Sequence, residues 1–438
     1  MKEYVIRCGS LLDGTGKAPI KGAWVVIKGE NILRVETSPK DELVNLPYID
    51  ATEKTVLPGL IDAHKHYFNC GGFGESVPVG FTPRQAYLNI RDTLLGGVTS
   101  ALDLSGPFFI STISKLPFMK PRMFYAGPIL TCKGGYPAEY MNRSAYTLGV
   151  VQECDTEVEI RSAIEKLAQK GVAVIKTVVV SQTFRGKPQV NWTDQQLSTL
   201  VNVAHKNGLP VCAHITYPQD YAQAIRCGID SIHHAAYAPM QEKDLNRMIE
   251  NGIRFVPTLS LMDLMVQGCQ ERWVEKHAYQ PNVNRTIYKS MVRFTNAFHK
   301  TPDDQCIPGS FIAIPKREML QAPKQTIENL ARFVQKGGIV AMGTDSALGF
   351  CLHTTPVREM ELLQASGLST CEVIKASTLT SASIFNKQDV LGSIEPGKLA
   401  DILIVTGDLS NNLRCIQNID TVILGGQVVV ETRAYRTL

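Results

Sequence analysis

Two hydrophobic patterns alternate along the middle of the chain. Short apolar runs bounded by glycine, proline or polar residues predict buried strands. Longer stretches, with apolar residues three and four positions apart, predict amphipathic helices that pack one face on a core. The predicted strands cover residues 57–64, 98–103, 122–128, 172–180, 209–214, 229–234, 253–257 and 339–345, and examples of the predicted helices are 82–96, 155–170, 194–207, 218–227 and 241–251.

This alternation of strands and helices predicts the fold class. Eight strand–helix units in succession favour an α/β fold of the (β/α)8 TIM-type barrel, because parallel neighbours need helical crossovers. An open doubly wound sheet is the competing topology. We therefore predict a catalytic barrel over residues 57–389. Its connection at about 258–338 is unusually long, and such insertions form lids, oligomer contacts or plain structural excursions.

The two ends of the chain have a different pattern. Residues 1–56 and 390–438 contain short strand-like runs separated by turn signals, such as Ala23–Lys28 and a hairpin through Gly425 and Gly426. Neither segment is long enough to bury a core alone. We therefore predict that residues 1–56 and 390–438 pair into one small β-sandwich domain.

Composition narrows the classes of partner. The chain has 438 residues, of which 44% are hydrophobic and 20% charged, as is typical of a soluble globular protein. The net charge of +4 comes without a basic block, which argues against nucleic acid and membrane surfaces as partners. No signal-peptide pattern or apolar run of the ~18 residues of a membrane span is visible. The eleven scattered cysteines are expected to be reduced, and the expected location is the cytoplasm.

Residues of metal-ligand type lie at the ends of the predicted strands. The first strand leads into His64-Lys65-His66, and alternation puts both imidazoles on one face, where they can hold a divalent metal ion. Barrel active sites form where the strands end. Four other strands also carry such residues, which is improbable by chance: Lys176, His214, the pair His233 and His234, and Asp345.

Lys176 has a chemistry of its own. It lies within an apolar strand, where burial of the ammonium is costly and should lower its pKa. A neutral amine reacts with carbon dioxide to give a carbamate, which is a carboxylate on a long arm that can bridge two metal ions. Taken singly, these residues have ordinary explanations; Asp345, for example, could cap a helix.

The pattern as a whole resembles the amidohydrolase superfamily, in its branch with a binuclear metal centre and a carboxylated lysine. Among its members it is most similar to Xaa-Pro dipeptidases (prolidases) and to relatives that cleave acyl amino acids and carbamates. The matching segments, in the family's order and spacing, are Leu57–His66, Ile175–Lys176, Ala213–His214, Ser231–His234, Gly343–Asp345 and Gly392–Asp401.

The resemblance implies a set of metal ligands. One ion would be held by His64, His66 and Asp345. A second would be held by His214 and His234, and carboxylated Lys176 would bridge the two. The expected ions are zinc, with manganese, cobalt or iron as alternatives, and carbon dioxide would be needed to carboxylate the lysine.

The resemblance also implies a reaction. The expected activity is hydrolysis of a C–N bond in an amide, dipeptide-like, N-acyl amino acid or carbamate substrate. A metal-activated bridging hydroxide would attack, and Asp345 would act as general base and then as general acid. The alternatives are a cyclic-amide hydrolase of the imidazolonepropionase or dihydroorotase kind, a deaminase, and a catalytically silent scaffold. A small-molecule substrate and a homo-oligomer are the expected partners.

The expected substrate contacts lie where the chain departs from the family pattern. Prolidase-like relatives often carry Gly-Gly-His where this chain has Gly134-Gly-Tyr136. They also often have a tyrosine at the position of Thr216, which Tyr217 follows here. Tyr136, Thr216, Tyr217 and His353 are therefore the predicted substrate-binding residues.

Three further features remain open from the sequence. The glycine-rich segment Tyr67–Ser76, which includes Cys70, either flexes over the substrate or forms a surface turn. Arg358 either anchors a substrate carboxylate or lies on a solvated helix face. His233 is expected to pack beside the centre rather than to support a ligand.

Overall fold

A computed structural model describes most of the chain, and it shows an α/β fold with parallel sheets. The described residues are 3–38, 41–68, 73, 83–137, 149–183, 187–274, 285–308, 314–346, 349–353 and 356–431. The strands are β1 (Glu3–Leu11), β2 (Ile20–Lys21), β3 (Trp24–Lys28), β4 (Asn31–Glu36), β5 (Tyr48–Pro58), β6 (Leu60–Lys65), β7 (Val98–Asp103), β8 (Arg122–Tyr125), β9 (Ile129–Cys132), β10 (Val151–Cys154), β11 (Ile175–Val178), β12 (Val211–His214), β13 (Ser231–His233), β14 (Arg254–Val256), β15 (Ile402–Thr406), β16 (Ile419–Leu424) and β17 (Gln427–Glu431).

Helices follow most of the central strands. They are α1 (Asp41–Val44), α2 (Pro83–Leu95), α3 (Phe109–Ile113), α4 (Glu157–Gln169), α5 (Asp194–Lys206), α6 (Pro218–Arg226), α7 (Glu242–Glu250), α8 (Leu259–Gln270), α9 (Arg285–Lys300), α10 (Lys316–Gln335), α11 (Val357–Ala365), α12 (Thr370–Lys375) and α13 (Ser381–Ser383), with a π-helical segment at Ala376–Thr380 and a 3-10 helix at Leu413–Gln417. Capping boxes at Thr156 and Thr193 start α4 and α5 close to the predicted positions. None of the described helices combines the length and apolarity needed to cross a bilayer.

Strands from both chain ends form one mixed sheet. Its order is β17-β16-β15-β5-β1-β3-β4, with β2 paired to β1. The antiparallel pair β15–β5 joins the two ends. The buried side chains of the whole sheet include Ile6, Ile27 and Ile402. The predicted hairpin is confirmed: Gly425 and Gly426 connect β16 to β17 with the positive φ angles of 55° and 71° that such a turn requires. The sandwich and its boundaries stay predictions.

The central strands form two parallel sheets. Their orders are β6-β7-β8 and β10-β9-β11-β12-β13-β14. β9 and β10, which are four residues each, were not predicted as strands. A backbone hydrogen bond from the Ala173 N–H to the Tyr125 carbonyl, 2.9 Å long, links the residues before β11 to β8 of the other sheet.

The predicted eighth strand, 339–345, is not a regular strand. Residues 339–346 instead form single parallel bridges, from Val340 to Phe255 of β14 and from Ser346 to Lys65 of β6. The Ala341 N–H also donates to the Phe255 carbonyl (2.9 Å), and the Ala63 N–H to the Met342 carbonyl (3.0 Å). The segment therefore lies between the edges of the two parallel sheets.

The long insertion is mainly helical. The helices α8, α9 and α10 share an apolar cluster with Phe73 and Phe350, and the Phe73 ring stacks on Phe294 at 3.7 Å. The helix α10 begins at Lys316 and contains Pro323 in its interior. The cluster thus ties the insertion to the residues that follow β6 and to those that follow Asp345.

A buried ion pair fastens β6 to residues 339–346. The Lys65 ammonium lies 3.1 Å from Asp62 Oδ2 and donates to Ser346 Oγ, also at 3.1 Å. The Thr344 hydroxyl donates to the same Asp62 oxygen at 2.7 Å. Lys65 and Asp62 are fully buried. This network joins the strand that carries His64 and His66 to the segment that carries Asp345.

We expect Lys65→Met to lower the free energy of unfolding by about 3–5 kcal/mol, because it leaves the buried Asp62 carboxylate without its cation. The measurement is urea unfolding followed by tryptophan fluorescence. Arg226→Met is the control, since Arg226 and Asp194 form an ion pair whose side chains are 54% and 55% exposed, and its loss should cost no more than about 1 kcal/mol. Equal stability of the two variants would contradict the structural role of Lys65.

Candidate metal centre

Three of the predicted ligands converge at one end of β6. Nε2 of His64 lies 3.2 Å from Nε2 of His66. Asp345 Oδ1 lies 3.3 Å from the first of these nitrogens and 2.9 Å from the second. The backbone N–H of Asp345 donates to the His64 carbonyl at 2.8 Å, which holds the carboxylate beside the two rings.

His234 reaches the same point because the backbone turns at this residue. Ser231 and His233 lie on one face of β13, so alternation alone would turn His234 to the opposite face. Its φ of 75° instead brings its ring to 4.9 Å from the His64 ring, with Nδ1 at 3.8 Å from Asp345 Oδ2. Asp345 also has a left-handed φ, of 54°. Such angles store about 1–3 kcal/mol per residue and are concentrated at functional sites.

The geometry of these residues can hold a cation. His64, His234 and Asp345 each offer a ligand atom, and the three atoms lie within 4.8 Å of one another. All three residues are buried. The structure therefore contains a His/His/Asp cluster of the kind that binds divalent metal ions.

Lys176 and His214 lie beside this cluster with polar atoms left over. The His214 ring is 4.3 Å from the His234 ring. Lys176 Nζ and His214 Nε2 are buried atoms without a hydrogen-bond partner among the described residues, and Asp345 Oδ1 has only its close approaches to the His64 and His66 nitrogens. An unsatisfied buried polar group costs about 1–3 kcal/mol, so a group of them at one place is unusual. The imidazole and carboxylate atoms of this set can bind metal ions through their lone pairs. The amine of Lys176 can bind them once it is carboxylated.

Burial determines the protonation of the centre. It lowers the pKa of four imidazoles well below the usual value, and the positive charge on Lys176 and on neighbouring rings adds to the effect; the four are His64, His214, His233 and His234. Neutral imidazole is the form that binds metal ions. Burial also lowers the pKa of Lys176 from 10.5 to about 8, while Cys212 and Asp345 oppose the shift. A fraction of the amine is therefore neutral and able to react with carbon dioxide near neutral pH.

A second layer of hydrogen bonds holds three of the rings. In each ring Nδ1 has a partner, which leaves Nε2 for a metal ion. The pairs are His66 Nδ1 with Ser105 Oγ (2.9 Å), His234 Nδ1 with Thr258 Oγ1 (2.8 Å), and His64 Nδ1 with His233 Nδ1 (3.0 Å). Ser105 and Thr258 were not predicted from the sequence, and His233 was expected only to pack beside the centre. In the sequence, Ser105 and Thr258 are marked only by a hydroxyl group one or two residues after a predicted strand. Hydroxyl groups in such positions are too common to identify a site.

Two of the predicted substrate residues lie next to His214. The Tyr136 ring stacks on the His214 ring, with centroids 4.7 Å apart and an angle of 18°. Thr216 is buried two residues after His214, and its Oγ1 has no hydrogen-bond partner among the described residues. Both side chains can therefore contact a molecule bound at the centre.

The other two predicted substrate residues make contacts with the protein. The Tyr217 hydroxyl donates to the Thr183 carbonyl at 3.2 Å. The His353 ring stacks on Tyr67 at 5.4 Å, directly after His66 in the chain. The role of Tyr217 and His353 in substrate binding therefore stays a prediction.

The structure also bears on two features that the sequence left open, Arg358 and the glycine-rich segment. Arg358 donates two hydrogen bonds to the Asp263 carboxylate, at 2.6 and 2.9 Å, so it joins α11 to α8 instead of lying on a solvated face. Of the segment Tyr67–Ser76, only residues 67, 68 and 73 are described, and Cys70 lies outside the described residues.

Tyr237 is a site residue that sequence reasoning missed. It follows His234 by three positions, and its backbone N–H donates to the Thr216 carbonyl. Burial raises its pKa, and the negative charge of Asp345 and the neighbouring Tyr217 add to the shift. The phenol therefore stays protonated at neutral pH.

Comparison with known proteins shows the family of the chain. Residues 55–429 match the amidohydrolase family, and the chain belongs to that family. A solved Xaa-Pro dipeptidase with methionine bound in its active site is 24% identical, covers 98% of this chain and 100% of its own, and has a TM-score of 0.76. The ochratoxinase of A. niger is 19% identical with a TM-score of 0.75, over 99% of this chain and 97% of its own. At these identities the likeness establishes the shared fold.

Curated relatives match over shorter stretches. An uncharacterized protein of Mycobacterium bovis is 26% identical over 208 residues, which are 47% of this chain and 50% of that protein. The chain thus matches about half the length of this relative. An imidazolonepropionase of Thermoanaerobacter pseudethanolicus is 33% identical over 82 residues, which are 18% of this chain and 19% of the enzyme.

The lowered pKa of Lys176 predicts a pH dependence of stability in the metal-free protein. Between about pH 8 and pH 10.5 the unfolded state binds the lysine proton and the folded state does not, so stability rises with pH in this window. Below pH 8 both states bind the proton, and the cost of burying the charge is complete. We therefore expect the stability advantage of Lys176→Met over the wild type to shrink by about 3 kcal/mol across the window.

Urea unfolding of both proteins at several pH values measures this difference. Buried cysteines and tyrosines that do not interact with Lys176 cancel in the subtraction, whereas Cys212 interacts with Lys176 and is replaced by serine in both proteins. Lys206→Met, at an exposed lysine, is the control and should differ from the wild type by the same amount at every pH. A Lys176→Met difference that does not vary with pH would show that the native ammonium is not perturbed.

Proposed function

We propose that the protein is a binuclear metal-dependent hydrolase that cleaves a C–N bond in an amide, dipeptide-like, N-acyl amino acid or carbamate substrate. The convergence of His64, His66, His234 and Asp345, beside the buried unpaired atoms of Lys176 and His214, carries this proposal. Membership of the amidohydrolase family supports it. So does the fold shared with the Xaa-Pro dipeptidase and the ochratoxinase.

The proposed ligands divide into two sets. His64, His66 and Asp345 would hold one ion, His214 and His234 would hold the other, and carboxylated Lys176 would lie between them. Zinc is the first choice, because imidazole and carboxylate ligands suit it, with manganese, cobalt or iron as alternatives. Two such ions, when bound, supply Lewis acidity that polarises a carbonyl group and lowers the pKa of a nearby water.

Asp345 is proposed to move the proton. It accepts the proton of the attacking water while the bond between the water oxygen and the carbonyl carbon forms. It then delivers this proton to the nitrogen as the C–N bond breaks, so an amide yields an acid and an amine. Its position supports this role, because one carboxylate oxygen lies against His66 and the other lies toward His234.

The substrate pocket is proposed to include Tyr136, Thr216, Tyr217 and His353. Tyr136 and Thr216 have the stronger support, because both adjoin His214. A second candidate activity is hydrolysis of a cyclic amide, which the partial similarity to an imidazolonepropionase favours. In either case a C–N bond is cleaved at the same centre.

The remaining structural proposals follow from the hydrogen bonds between the sheets. We propose that both parallel sheets and residues 339–346 close into a (β/α)8 barrel, supported by the bridges of Val340 and Ser346 and by the Ala173–Tyr125 bond. The barrel domain would span residues 57–389, and residues 1–56 and 390–438 would form a β-sandwich. A homo-oligomer in the cytoplasm, with the insertion at about 258–338 as a contact surface, completes the proposal.

A hydrolysis screen tests the function directly. Dipeptides, N-acyl amino acids, carbamates and lactams are incubated with protein reconstituted with zinc or manganese, and release of the amine product is measured. We expect turnover in one of these classes, its loss on chelation, and its recovery when metal and bicarbonate are restored. Metal-independent turnover, or a metal content of one per chain with release of ammonia, would contradict the proposal.

Replacement of the proposed proton carrier tests the mechanism. Asp345→Asn keeps the size of the side chain and removes its basicity, and we expect kcat to fall by about 10²–10⁴-fold. Asp194→Asn, in an exposed ion pair, is the matched control and should keep full activity. If Asp345→Asn retained wild-type kcat with its metal bound, Asp345 would not be the base.

A further inference from the structure

Three buried side chains connect the candidate centre to the interior of β13. His64 Nδ1 lies 3.0 Å from His233 Nδ1, and His233 Nε2 lies 3.0 Å from Ser231 Oγ. None of the three residues is more than 1% exposed. On its other side, His64 Nε2 lies 3.3 Å from Asp345 Oδ1. Both nitrogens of His64 are therefore engaged, one with the centre and one with His233.

The contact between two Nδ1 atoms requires one proton, and two arrangements satisfy it. In the first, His64 carries the proton on Nδ1 and donates to His233, which leaves the lone pair of His64 Nε2 directed at the centre. In the second, His233 donates and His64 carries its proton on Nε2, where it would point at Asp345 and block a metal ion. The tautomer of His233 thus decides whether His64 can be a ligand.

Ser231 and Cys212 are compatible with the first arrangement. If His233 accepts at Nδ1, its own proton is on Nε2 and is donated to Ser231 Oγ. The Ser231 hydroxyl then needs another acceptor for its hydrogen. Cys212 is paired with Ser231 in the adjacent strands β12 and β13, so its sulfur is a candidate acceptor for this hydrogen. In the first arrangement the donors run in one direction, from His64 through His233 to Ser231, whose hydroxyl can donate to the Cys212 sulfur.

We propose that His233 is a positioning residue that fixes His64 as the Nδ1-protonated tautomer and so directs the Nε2 lone pair at the metal ion. This inference rests on the proposed function, because it assumes that His64 is a metal ligand. The residue acts through His64 and touches neither the metal ion nor the substrate. It extends the centre by one layer into the core of the parallel sheet.

Zinc affinity and tautomer state test the proposal together. His233→Leu removes the acceptor, and we expect zinc to bind 10–100-fold more weakly in competition with a chromophoric chelator. His233→Asn can place an amide oxygen near the position of Nδ1 and should recover most of the affinity. In protein labelled with ¹⁵N-histidine, NMR should show His64 protonated on Nδ1 and His233 on Nε2, and His64 should lose this preference in His233→Leu.

A control separates this effect from the general loss of a buried hydrogen bond. Trp192→Phe removes the 3.0 Å bond from Trp192 Nε1 to Thr177 Oγ1, and it should leave zinc affinity unchanged. Should His233→Leu fail to fold, Ser231→Ala decides, because it deletes one hydroxyl and should still weaken zinc binding several-fold. Wild-type affinity and tautomers in the folded variant would overturn the inference alone, whereas a wild type that binds no zinc would overturn the metal centre with it.

Discussion

The seam between β6 and residues 340–346 is the feature on which the candidate centre depends. Backbone hydrogen bonds cross it from Ala63 to Met342, from Asp345 to His64 and from His66 to Ser346, at 3.0, 2.8 and 2.8 Å. The buried ion pair of Asp62 and Lys65 reinforces it from within. Because two histidines lie on one side of the seam and the carboxylate on the other, a shift of the seam would separate the ligands.

Burial gives the residues at this seam their chemical character. Burial lowers the pKa of the His64 and His234 imidazoles well below the usual value and that of the Lys176 ammonium to about 8. Burial away from water also makes an unpaired polar atom costly. In the folded chain, Ser105, Thr258 and His233 are the hydrogen-bond partners of the Nδ1 atoms of His66, His234 and His64. Lys176 Nζ and His214 Nε2 remain without a hydrogen-bond partner among the described residues. Their cost is consistent with a ligand that completes them.

The insertion after β14 connects this centre to the periphery. Thr258, at the start of α8, contacts His234, and the Glu359 carboxylate accepts the next two backbone N–H groups, of Leu259 and Ser260. Farther along, Phe294 of α9 stacks on Phe73, and the same cluster includes Phe350, five residues after Asp345. The insertion therefore supports the residues that follow β6 and those that follow Asp345.

The sequence by itself determined the strand–helix rhythm and the types of residue at the strand ends, because burial and side-chain alternation are local properties of the chain. A gathering of metal-ligand residue types at the strand ends could be predicted on that basis, whereas the grouping of His64, His66 and Asp345 came from the resemblance to the family. Three features could not be predicted from the sequence. They are the positive φ of His234, the hydrogen bond between His64 and His233, and the irregular segment in place of the predicted eighth strand. They depend on which strands become neighbours and on where buried polar groups find partners, and only the tertiary structure decides both.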